Sequence, residues 1–183
     1  MRALSQVDID LALERVEPGL VKYTWIMENV HRCDVSADAA FQRRFNHFYR
    51  VRRGATWQAP YYNLMEQAKA RPTTFAEALV ALAAESGRVE ASFASKLVAT
   101  LDSSQPVIDQ HVLRNFGLRM PYPQETNRVG KVIELHAELR RRYGRLLDSD
   151  AGRAICERFR LRFPAADIGD LKRIDLVLWQ HRG

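Results

Sequence analysis

Apolar side chains recur at helical spacing along nearly the whole chain, and most runs are bounded by a capping residue, a proline or a glycine. No segment sustains the alternation of a half-buried strand, and no Asn-Gly hairpin signal occurs. The pattern predicts an all-α fold of about eight helices. Residues 1–183 are expected to form one compact domain or two small helical lobes around a cleft, because 183 residues bury one full core but not two large ones. Hydrophobic residues are 46% and charged residues 27% of the chain, which argues against disorder.

Ser5 with Asp8 marks a first helix start, and Val7, Leu11, Leu13 and Val16 supply an apolar face ending near Pro18-Gly19. A second helix is expected from about residue 19 to 32, with Leu20, Tyr23, Trp25, Ile26, Met27 and Val30 in the core. Asp34 and Ser36 offer caps for a third, from about residue 37 to 49, in which Phe41, Phe45 and Phe48 read as a core stripe. Gly54 and Pro60 mark residues 43–62 as an inter-helix loop. Thr74 and Glu77 form a capping box, and Gly87 stops that helix. Further helices are expected over 128–147, from 150 to Pro164, and over 169–181.

Lys plus Arg number 28 against 22 Asp plus Glu, a net +6, with Arg far outnumbering Lys. A planar guanidinium matches phosphate geometry, so the balance favours a phosphate-rich partner. Arg43, Arg44, Arg50, Arg52 and Arg53 are interleaved with Tyr49, Trp57, Tyr61 and Tyr62. Such a stretch can neutralise phosphates while rings stack on an unpaired base; it is equally a solvated arginine face over a buried aromatic cluster. The run Arg140, Arg141, Arg142 and Arg145 has the same two readings.

Cys33 and Cys156 lie far apart, without the clustered ligands that structural zinc or an iron–sulfur cluster requires, and are expected to be buried free thiols. No metal or cofactor is expected. No apolar run is long enough to span a membrane, and MRALSQVDID lacks a signal-peptide core, so a cytoplasmic monomer without a membrane partner is expected.

Chemistry concentrates between Glu90 and Gly117. Lys96 sits in an apolar helical run, a short turn containing Pro106 follows, and Asp109 opens the next helix. An amine in apolar surroundings loses preference for its charged form and becomes a nucleophile able to form a Schiff base. A carboxylate nearby can take a proton or stabilise positive charge on a sugar ring as its anomeric bond breaks. The same two residues also describe a helix lysine beside an N-cap aspartate, with no chemistry.

The segment PVIDQHVLR resembles the one that follows the helix–hairpin–helix in the base-excision DNA glycosylases of the endonuclease III, adenine glycosylase and 8-oxoguanine glycosylase superfamily. The matching residues are Asp109, His111, Val112, Leu113 and Arg114. Upstream, SFASKLVATL resembles the second helix of that hairpin, and Lys96 stands where bifunctional members bear the catalytic lysine. GRVEASFASK, DQHVLRN and LKRIDLVLWQ together are also similar to a set of small bacterial proteins with this core. The chain departs from the pattern in its hairpin, which keeps only Gly87, nine residues before Lys96, and in the short interval of thirteen residues from Lys96 to Asp109. Two cysteines cannot supply a four-cysteine cluster, which places the resemblance in a compact branch nearer the 8-oxoguanine-type fold.

The resemblance implies a DNA glycosylase that flips a damaged or modified base out of duplex DNA and cuts its N-glycosidic bond, in repair or in defence against modified foreign DNA. Asp109 would activate the nucleophile or stabilise the oxocarbenium-like state, and Lys96, acting as nucleophile, would add an abasic-site lyase step. Tyr49, Trp57, Tyr61 and Trp179 are the candidate base pocket; Arg43, Arg50, Arg52, Arg53, Arg88 and Arg114 are the candidate DNA contacts. The alternatives are a non-catalytic helical DNA-binding module that uses Arg140 to Arg145, and a protein-interaction domain whose basic face only solubilises it.

Overall fold

The computed structural model describes residues 4–181, so the first three residues of MRALSQVDID lie outside it. Ten α-helices and no strand occur among the described residues. In chain order they are α1 (Gln6–Leu13), α2 (Glu17–Asn29), α3 (Ala39–Tyr49), α4 (Ala55–Ala70), α5 (Phe75–Ser86), α6 (Ala91–Leu101), α7 (Gln110–Asn115), α8 (Arg128–Leu147), α9 (Asp150–Arg162) and α10 (Asp170–Gln180). None is long and apolar enough to cross a membrane.

Local chemistry sets most of the boundaries. The Ser5–Asp8 and Thr74–Glu77 capping boxes both form, and Gly87 closes α5 in the left-handed region at φ 66°. Asp109 caps α7, with its side chain accepting from the His111 N–H at 2.8 Å. Three expectations are corrected. α1 ends at Leu13, because Pro18 belongs to the first turn of α2, where no amide is needed; Val7 and Leu11 face solvent. α3 is capped by Asp38 rather than by Asp34 or Ser36; Asp34 instead accepts from the Ser36 amide and hydroxyl in a local turn. Residues 55–62 are helical, with Pro60 inside α4, so the expected loop shrinks to residues 51–54.

One continuous apolar core runs from Ile9 to Leu178. Phe41, Phe45 and Phe48 are buried as the stripe predicts, and Phe45 packs against Tyr49, Tyr61 and Tyr62. α6 is nearly enclosed: Ala91, Ala94, Ser95, Leu97, Val98, Ala99 and Thr100 are all buried, and α5 lies along it. α10 packs against α1, α7, α8 and α9, joining the two ends of the chain. Cys156 is buried, whereas Cys33 is only partly so, its Sγ donating to the Asn29 carbonyl at 3.4 Å.

His136 on α8 stacks on Phe75 with ring centroids 3.9 Å apart, and its Nε2 lies 3.2 Å from the Pro106 carbonyl. Burial lowers its pKa to about 4, partly offset by the Pro106 carbonyl and reinforced by Arg140. The folded state therefore excludes the proton that an unfolded histidine takes up near pH 6.5. Stability contributed by the neutral ring is complete above that value and is lost as pH falls towards 4. Denaturant melts of the wild type should show a loss on the order of 3 kcal/mol across that window beyond the carboxylate background. His136→Phe should remove that slope while lowering stability at pH 7 through the lost Pro106 bond.

Candidate active site

The segment between α6 and α7 is held on two sides. The Ile108 N–H donates to Ser95 Oγ at 2.9 Å in a fully buried bond, and the Pro106 carbonyl meets His136. Ser95 and Ile108 are the chain neighbours of Lys96 and Asp109. That one bond therefore brings the lysine helix and the aspartate turn together across an interval of thirteen residues.

Both side chains line one cavity of about 840 Å³, formed where the end of α3, α6, α7 and α10 meet. Its walls are mostly apolar, with Phe48, Val107, Ile108, Val112, Leu113, Leu118, Met120 and Trp179. Its polar groups are Lys96, Asp109, His111 and a buried Lys172–Asp175 pair, with Arg50, Arg114 and Arg119 exposed around it. Pockets of this size and character suit a small ring compound.

Lys96 Nζ donates to the Tyr49 carbonyl at 3.0 Å, one of the acceptors that the end of α3 leaves free, and lies 5.0 Å from the centroid of Phe93. Burial lowers its pKa to about 8; Asp109 opposes the shift and Arg50 adds to it. About a tenth of this amine is thus uncharged at pH 7, far more than of a solvated lysine. Asp109 spends one carboxylate oxygen on the α7 cap. Arg50 ends α3 with a left-handed backbone, φ 54°, a conformation that costs a non-glycine residue about 1 kcal/mol or more.

The remaining sequence candidates separate. Trp179 lines the cavity edge-on to Phe48, with the Arg50 guanidinium 5.7 Å from its ring centroid. Tyr49 borders the cavity too, but its ring is buried against Phe45 and Phe48, so its contribution is the carbonyl that holds Lys96. Tyr61 and Trp57 fall outside the cavity and are corrected. Tyr61 is fully buried with its hydroxyl donating to the Phe93 carbonyl, and Trp57 stacks on Tyr61 and Phe93. With residues 55–62 helical, Tyr61 lies in the core and Trp57, partly buried, packs against it.

Among the arginines, Arg50 and Arg114 line the cavity, exposed and without an ion pair among the described residues. Arg52 lies beside Arg50 in an adjoining groove, while Arg43 and Arg88 are exposed outside both. Arg53, part-exposed, lies outside both, with its Nη2 held by the nearly buried Glu90 at 2.7 and 3.0 Å. In the α8 arginine run, Arg141, Arg142 and Arg145 all pair with Glu138, and Arg142 also bonds the Phe116 carbonyl, while Arg140, Arg141 and Arg145 stay exposed.

Among the cavity residues not singled out from sequence, Arg119, Met120, Lys172 and Asp175 come from the 118–127 loop and from α10. The spacing of Lys172, Asp175 and Trp179 on one helix face was the available signal. His111 Nδ1 is buried without a hydrogen-bond partner, an open polar position in the wall. No group of three or more His, Cys, Asp or Glu gathers to hold a metal among the described residues. No protein-family model, curated protein or solved structure matches the chain.

Ser95→Ala leaves the Ile108 N–H buried and unpaired, at a cost of about 1–3 kcal/mol. Chemical denaturation should register that loss, and amide exchange should show the Pro106–Asp109 turn opening before the rest of α6. Unchanged exchange in the turn would mean that the bond does not position the site.

Proposed function

We propose that the chain is a DNA glycosylase that excises a damaged or modified base and, through Lys96, also cleaves at the resulting abasic site. The observation that carries this reading is a partly buried amine with a pKa of about 8 sharing one mostly apolar cavity with Asp109. The residues that resemble the glycosylase motif are the residues that meet there.

The chemistry follows from the groups in place. Flipping a nucleotide costs a few kcal/mol, which phosphate contacts from Arg50, Arg114 and Arg119 would offset while the base enters between apolar walls. The neutral Lys96 amine attacks the anomeric carbon; a C–N bond to lysine forms as the glycosidic bond breaks and the base leaves with a proton. The Asp109 carboxylate stabilises the positive charge that builds on the sugar. Opening of the sugar ring then yields a protonated imine, with the ring oxygen taking a proton from water to become a hydroxyl. Loss of a proton from the adjacent carbon to water or hydroxide expels the 3′ phosphate, and water releases the lysine. The alternative of a non-catalytic DNA-binding module gives no account of Lys96 and Asp109 sharing one cavity.

Borohydride should reduce the imine and trap a covalent protein–DNA adduct on abasic-site DNA. Lys96→Ala should reduce trapping at least a hundredfold, and trapping that survives this change places the nucleophile elsewhere. Asp109→Asn keeps a capping side chain and DNA binding but should lose base release against a panel of damaged and hypermodified DNAs read by mass spectrometry. An active Asp109→Asn protein sinks the assignment.

The pH profile carries a further expectation. With a pKa of about 8, ~10% of Lys96 is free amine at pH 7 and ~90% at pH 9. The trapping rate should climb through pH 8 and level above about 9. A rate that keeps rising to pH 10.5 would mean an ordinary solvated lysine.

A further inference from the structure

Lys172 and Asp175 on α10 form an ion pair of 2.7 Å that borders the cavity and has no part in the bond-breaking chemistry. Lys172 is 6% and Asp175 5% exposed. Replacing a buried ion pair by apolar residues is often neutral or stabilising, so stability alone does not account for two charges at this position. Their immediate surroundings are built to keep them charged. Tyr143 donates its hydroxyl to Asp175 Oδ1 at 2.9 Å, Asp175 raises the Lys172 pKa against burial, and Lys172 Nζ lies 4.6 Å from the ring centroid of Tyr23 and 5.7 Å from that of Phe48.

Hydrogen-bonding capacity is left over on both partners. Lys172 has three N–H donors and uses one on Asp175 Oδ2. Each Asp175 oxygen accepts one protein hydrogen bond and has room for a second. A donor-only group thus sits beside an acceptor-only group at the wall of an apolar slot that also contains Phe48 and Trp179.

We infer that Lys172 and Asp175 are the specificity-determining residues of this cavity, and that they read a base presenting a lactam edge, a carbonyl oxygen next to a ring N–H. The inference rests on the glycosylase reading and names the class of base it would take. A carbonyl oxygen is the strongest acceptor a neutral base offers to an ammonium, and the adjacent N–H is the acidic donor a carboxylate prefers. Guanine-like, hypoxanthine-like and uracil-like rings carry that edge. A ring methylated at that nitrogen loses the donor and leaves the carboxylate facing a methyl group, a mismatch that buried polar sites reject strongly.

The test uses the intact protein and free bases, so it requires no bond cleavage. Ligand-observed NMR titrations should show 9-methylhypoxanthine and 1-methyluracil, whose glycosidic nitrogens are blocked as in a nucleoside, binding at least tenfold more tightly than 1,9-dimethylhypoxanthine and 1,3-dimethyluracil. Equal affinities, or no binding of any of the four, overturn the inference. Lys172→Met and Asp175→Asn should abolish the preference, and a folded variant that keeps it moves the reading elsewhere. If both variants fail to fold, the wild-type titrations alone decide. The two proposals fail separately. A protein that discriminates the free bases but releases none from DNA keeps the base-reading pair and loses the glycosylase. One that excises methylated and unmethylated bases alike keeps the glycosylase and loses the pair.

Discussion

A single buried hydrogen bond, from the Ile108 amide to the Ser95 hydroxyl, sets the geometry on which the site depends. Lys96 is fixed by α6, whose enclosed face of alanines, Leu97, Val98 and Thr100 leaves it little freedom to rotate. Asp109 has no such anchor of its own. It stands at the end of an extended segment whose amides and carbonyls have no helical partners, and a buried amide without a partner is costly. Ser95 resolves that cost on one side and His136 on the other, so the aspartate arrives at the lysine because its backbone has nowhere else to be satisfied.

The cavity then contains two lysines whose pKa values are shifted in opposite directions, and the difference lies in their partners. Lys96 is desolvated with only a backbone carbonyl as acceptor, and Asp109 does not compensate fully, so its pKa falls. Lys172 is more deeply buried yet held charged, because Asp175 touches it at 2.7 Å. Burial lowers the pKa of both; direct contact with a carboxylate is what raises that of Lys172 instead. The result is one amine suited to attack and one suited to donate hydrogen bonds.

Legibility in the sequence was uneven for physical reasons. Helix starts such as Ser5, Thr74 and Asp109, and the stop at Gly87, depend on residues within one turn, and they formed where expected. Pro60 misled because proline reads as a breaker, yet α4 runs through it, its length anchored by packing of Tyr61, Tyr62 and Met65. The aromatic–arginine stretch was divided by the same packing: Tyr61 went to the core, Arg53 to Glu90, and Arg50 to the cavity. Nothing local distinguishes those three fates.

By itself the sequence determined the all-helical class, most of the helix boundaries, and Lys96 and Asp109 as the pair to watch, since capping, periodicity and a short motif act over neighbouring residues. Tertiary structure decided the rest. It set how charged Lys96 is, which arginines stay free, and that α10 contributes Lys172 and Asp175 to the same cavity some sixty residues after Asp109. Desolvation and ion pairing depend on what is packed within a few ångströms in space, and that information exists only once distant helices have met.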